Sequence, residues 1–106
     1  MLLSIEQVLT EVQISRYDLD SWIERRWVRP VEREGTFLFD EADRARVKLI
    51  SELRLDLEVE EDVMPMILGL LDQIYTLRRA LSELQDAIQE LPPEMRKTLE
   101  ARLKGD

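Results

Sequence analysis

The chain has 106 residues, with 15 Lys and Arg against 23 Asp and Glu, and a formal net charge of −8. It contains no Cys and no His, which excludes disulfides, thiol nucleophiles and cysteine metal sites and removes the commonest general base and metal ligand. Residues 1–40 hold five basic and eight acidic side chains and residues 41–106 hold ten and fifteen, so neither half is a basic footprint; such a field repels polyphosphate and anionic membrane and draws in basic partners.

The first residues, Met1 to Glu6, lack the basic start and apolar run of a signal peptide. No 18-residue apolar stretch follows that could span a membrane, so a cytoplasmic protein is expected. Ser4 with Gln7 is a capping-box pair, which predicts a helix from near Ile5 to near Val12. Its apolar face is Ile5, Val8, Leu9 and Val12, and Ile14 enters the core from the turn. Ser15 with Asp18 is a second capping pair. The helix it opens has Leu19, Trp22 and Ile23 on one side and Tyr17, Asp20 and Glu24 towards the other. Trp22 and Trp27 suit the core of a small domain better than a contact surface. Pro30 biases Arg29 towards extended backbone and closes this segment.

Val31 to Phe39 reads as a minimal hairpin, or wing, with Gly35 in the turn. Asp40, with Asp43 three positions later, caps a helix running to about Leu57, with Val47, Ile50, Leu53 and Leu57 predicted to face inward. Glu58–Asp62 is an acidic link suited to the positive end of the next helix. Glu60, Glu61 and Asp62 have no His or Cys beside them to make a metal or acid–base centre, and Gly35, Gly69 and Gly105 are isolated rather than a phosphate-cradling loop. No enzymatic activity, metal or cofactor is expected.

From Val63 the period changes. Ile67, Leu70, Ile74, Leu77, Leu81, Leu84, Ile88 and Leu91 recur at alternating spacings of three and four, a heptad with Ile or Leu at both seam positions. Pro65 fits only near the helix start. A lone helix with such a stripe is unstable in water, and burying eight seam residues is worth roughly 10 kcal/mol. The tail after Pro92, with Met95, Leu99 and Leu103 on one face, is too short to cover it all, so a homodimer through Ile67, Leu70, Ile74, Leu77, Leu81, Leu84 and Ile88 is expected. The flanking residues leave the orientation of the pair open.

The predicted fold is mainly α with a small β-hairpin wing. It comprises a winged helix-turn-helix over residues 1–58, a long coiled-coil dimerisation helix over 59–91 and a short helical tail over 92–106. In such a fold the second helix is the one that enters a DNA groove. Here it carries Asp18, Asp20 and Glu24, where DNA binding needs bases to neutralise phosphates and Arg, Lys, Asn or Gln to read base edges. Arg16, Arg25, Arg26, Arg29 and Arg33 argue the other way. The alternatives are therefore a DNA-binding regulator and a protein-binding module whose acidic surface, built from Tyr17, Asp18, Asp20, Glu24, Asp40, Glu41 and Asp43, grips a basic polypeptide.

The order of elements resembles the MerR-type winged helix-turn-helix. It resembles more closely a relative of that fold, the CbpM-type chaperone modulators, which inhibit the J-domain co-chaperone CbpA. The likeness rests on Ile14-Ser15 leading into an acidic helix, Val28-Arg29-Pro30, Thr36 to Asp40, Leu53 to Leu57, and Leu70 to Ile74 running into Leu77-Arg78. It covers roughly residues 4–90. The resemblance implies a small, acidic, cytoplasmic, non-enzymatic protein. Its partner would be the positively charged J-domain surface of a CbpA- or DnaJ-type co-chaperone, which otherwise engages Hsp70 (DnaK). The tail beyond Pro92 has no counterpart in that pattern.

Overall fold

A computed structural model describes residues 1–104. The chain forms two compact units, Met1–Leu68 and the part from Gly69 onward.

In the first unit, α1 (Ile5–Val12) begins on the predicted cap: the Ser4 hydroxyl accepts from the Gln7 N–H and the Gln7 side chain accepts from the Ser4 N–H. Gln13 ends it in the left-handed region, φ 61°, and its N–H donates to the Leu9 carbonyl. That reversal delivers Ile14 into the core. The helix α2 (Arg16–Glu24) is capped by Ser15, which accepts from the Asp18 N–H at 3.0 Å. It closes in a Schellman arrangement, in which Trp27 N–H donates to Trp22 O, Arg26 N–H donates to Ile23 O, and Arg26 takes φ 63°. The apolar contact of that motif falls on Trp22 and Trp27, both buried. They are core residues, as expected of aromatics in a small domain.

The wing is β1 (Val31–Arg33) paired antiparallel with β2 (Thr36–Leu38), with Val31 opposite Leu38 and Arg33 opposite Thr36. Glu34 and Gly35 both have positive φ, the two-residue turn whose twist matches a hairpin. Phe39, fully buried, is hydrogen-bonded to Leu3 in both directions, which ties the wing to the N-terminus.

The helix α3 (Glu41–Ser51) starts on a reciprocal Asp40–Asp43 box and packs beside α1. Val47 and Ile50 are fully buried. From Glu52 to Asp56 the helix widens into a π-turn. This rotates the following side chains away from the α-helical stripe, so Leu57, predicted inward, is 69% exposed, and Leu55 is exposed beside it. The link that follows is held from this turn: Arg54 donates to the Val59 carbonyl and pairs with Glu61 at 3.5 Å.

The long helix α4 (Met64–Gln89) has Pro65 in its first turn, as required. Met64 and Leu68 belong to the core of the first unit. In the second unit, α5 (Pro93–Leu103) follows the Leu91-Pro92 break, and Arg96 donates to Gln89 Oε1 at 3.2 Å across the junction. Among the described residues, no buried polar side-chain atom lacks a partner.

Candidate functional site

The outer face of α2 carries Arg16, Tyr17, Asp20 and Glu24, all exposed, with Asp18 half-buried near the cap. Tyr17 is 81% exposed, so its ring packs on nothing in this chain. Arg16 is the one base among these residues, and its Nε lies 3.0 Å from Asp20 Oδ1. At the other end of the helix, Arg25 pairs with Glu61 at 3.0 Å and stacks over Trp27 at 5.5 Å. Two of the five arginines that favour DNA are thus engaged within the chain, each by a carboxylate. Arg26, Arg29 and Arg33 are exposed and form no ion pair among the described residues. Around α2, acids outnumber free bases, and the unpaired arginines lie between α2 and the wing (Arg26, Arg29) and in the wing itself (Arg33), where Glu32 and Glu34 flank Arg33.

The second acidic group, Asp40, Glu41 and Asp43, lies at the start of α3. Asp40 and Glu41 are exposed. Asp43 is half-buried and locked in the cap, where its Oδ2 accepts the Asp40 N–H at 3.1 Å. Burial pushes its carboxyl above the usual value of 3.8; the Asp40 N–H works against this, and the Asp40 charge adds to it. Asp43 is therefore a structural acid more than a contact residue. The two acidic groups belong to different helices, and it is α1 that lies against α3, with Glu11 and Arg44 paired at 3.4 Å.

The seam residues divide. Leu70, Ile74, Leu77, Leu81 and Leu84 are 43–63% exposed, an apolar line along four turns of α4 with no cover in the chain. Ile67 is half-buried, and Ile88, predicted at the interface, is already buried where the chain turns into α5. The sequence pattern alone did not separate these classes, because a period of 3.5 records apolarity and not which neighbour covers it. The exposed leucines of the π-turn were also missed, since a π-turn has no signature in the apolar spacing.

Residues 3–86 match the model of the MerR HTH family of regulatory proteins. The chain belongs to the MerR HTH family. No curated protein and no solved structure matches it. The observed helices, wing and long C-terminal helix are those of a MerR-like winged helix. What distinguishes this MerR-family chain is the charge on α2: the helix that would enter a groove presents three carboxylates and one neutralised arginine. No group of three or more potential metal ligands occurs among the described residues, and no helix is long and apolar enough to cross a membrane.

Proposed function

We propose that this MerR-family chain is a non-enzymatic, cytoplasmic, homodimeric chaperone modulator. Its α2 face binds the J-domain of a CbpA- or DnaJ-type co-chaperone and keeps that domain from Hsp70 (DnaK). The observation that carries this reading is the outer face of α2, where Asp18, Asp20 and Glu24 stand with Arg16 already spent on Asp20. A J-domain presents a basic surface to Hsp70, and charge complementarity of this kind sets partner choice and association rate. Tyr17 adds an exposed aromatic beside the acids, the residue type that contributes most at protein interfaces. The α4 seam supplies the homodimer: five exposed Leu and Ile residues at heptad spacing call for a second helix.

The test is a titration of the full chain against a CbpA-type J-domain at low and moderate salt. Saturable binding at micromolar concentration, weakening with salt, is expected, and no saturation ends the proposal. The DNA-regulator reading is favoured by Arg26, Arg29 and Arg33, free around the wing. It predicts a retarded duplex on a gel, with Arg33→Ala weakening the shift and lowering its salt dependence.

A further inference from the structure

One arginine of this fold is held in a way that a partner's arginine could copy. The Arg25 guanidinium carbon lies 5.5 Å from the centre of the Trp27 ring, and its Nη2 is 3.0 Å from Glu61 Oε2. Its Nε donates to Ser21 Oγ at 3.4 Å. Stacking uses the face of the cation and hydrogen bonding uses its edge, so a ring and a carboxylate hold one guanidinium without competing. A lysine ammonium has no flat face to stack and is more strongly hydrated.

The outer stripe of α2 offers the same two components, a ring and carboxylates. Tyr17, Asp20 and Glu24 recur at spacings of three and four, which places them on one side of the helix. The Tyr17 ring is 81% exposed, and no cation stands over it among the described residues. Glu24 is exposed and forms no ion pair among the described residues. Arg16, the neighbouring base, engages Asp20 Oδ1 through its Nε at 3.0 Å. That pairing offsets the one positive charge on this face that would repel an incoming cation, and it leaves Asp20 Oδ2 and both Glu24 oxygens as acceptors.

We propose that the Tyr17–Glu24 stripe is an arginine-selective docking surface. The basic polypeptide is gripped through an arginine whose guanidinium lies on the Tyr17 ring and whose edge donates to Asp20, with Glu24 in the next turn adding to the attraction. This rests on α2 as the face that meets a basic partner, and it specifies the side chain which that partner must present. Residues three apart on a helix are surface neighbours, so the Tyr17 ring and the Asp20 carboxylate stand close enough to share one guanidinium. A lysine at the same place keeps the charge attraction but loses the stack and the two-pronged hydrogen bonding. Charge alone would therefore draw many basic proteins to this chain, and the ring would sort them.

Two helical peptides of one alanine-rich sequence, with arginines in one and lysines in the other, serve as probes in titration calorimetry of the full chain at low salt. Wild type is expected to bind the arginine peptide about threefold to fivefold more tightly than its twin. Tyr17→Ala removes a ring that packs on nothing in the chain, so the fold is expected to hold and the preference to drop below about twofold. Tyr17→Phe keeps the ring and is expected to keep the preference. A preference still above about twofold in Tyr17→Ala overturns the arginine site, as does a wild type that binds the two peptides equally or binds neither. A J-domain that saturates the chain beside peptides bound equally removes only the arginine site and leaves the proposed function standing. An arginine preference that vanishes with Tyr17, beside a J-domain that fails to bind, supports the site and removes the J-domain as its partner.

Discussion

Replacing Ile74 with Asp puts a carboxylate at the centre of the proposed dimer seam. In the isolated chain Ile74 is 43% exposed on α4, so the substitution costs the helix about 0.5 kcal/mol in propensity and little in packing. In a dimer the accounting differs. Fully burying an Ile is worth about 1.5–3 kcal/mol, so covering the part still open is worth about 1 kcal/mol per copy, and both copies lose it. Each new carboxylate then enters an apolar contact with no partner, at a cost of about 1–3 kcal/mol. The sum, about 4–8 kcal/mol, raises the dimer Kd by about three to six powers of ten. Sedimentation velocity across a concentration series reads the association, and circular dichroism reads the helix content. The expected result is a folded monomer, while Arg79→Ala, on the opposite side of α4, stays dimeric. A dimer unaltered by Ile74→Asp refutes the seam, as does a wild type that never dimerises.

Three further outcomes follow from the geometry of the first unit. Asp20→Lys with Glu24→Lys should weaken J-domain binding at least tenfold, measured by titration calorimetry; the melting temperature should move little, because the one ion pair lost, Arg16–Asp20, is more than half exposed. Asp18 is best left in place there, since an acid in the first turn of α2 contributes about 0.3–1 kcal/mol through the helix dipole. Gln13→Gly should stabilise the chain by about 0.5–1 kcal/mol in denaturant titration, because φ 61° is a conformation that glycine adopts without strain; a loss of stability would show that the Gln13 side chain does something the backbone does not reveal. Asp43 sets a pH dependence. Its folded pKa is raised, so the folded state holds the proton more tightly than the unfolded chain, and stability falls as pH rises through the window just above 3.8. Asp43→Asn keeps an acceptor for the Asp40 N–H and removes that titration. Its stability relative to wild type should therefore improve as pH is raised from about 3 to about 6; an improvement in the opposite direction contradicts the burial argument.

Where a single local rule governs an element, the sequence was enough to find it. Ser4, Ser15 and Asp40 mark helix starts because a side-chain oxygen three residues ahead of an orphan N–H is the cheapest way to satisfy it, and all three cap as expected. The wing followed from Gly35, the one position in the hairpin turn where positive φ carries no Cβ penalty. Burial was less legible wherever a second element decides it. Leu57 lies on the inward stripe of an ideal α-helix, but the π-turn over Glu52–Asp56 advances the chain by an extra residue and leaves it in solvent. Met64 and Leu68 precede or interrupt the heptad and were passed over, although the start of α4 buries them in the first unit's core. The candidate site shows the same division. Spacing alone placed Tyr17, Asp20 and Glu24 on the outside of α2. Which arginine each acid neutralises depended on rotamers and on long-range contacts such as Arg25–Glu61, thirty-six residues apart. That pairing bears on function, because a count of charges along α2 treats Arg16 and Arg25 as available to phosphate, whereas the fold commits both to carboxylates. The acids left over, Asp18 and Glu24, then set the sign of the surface that a partner meets.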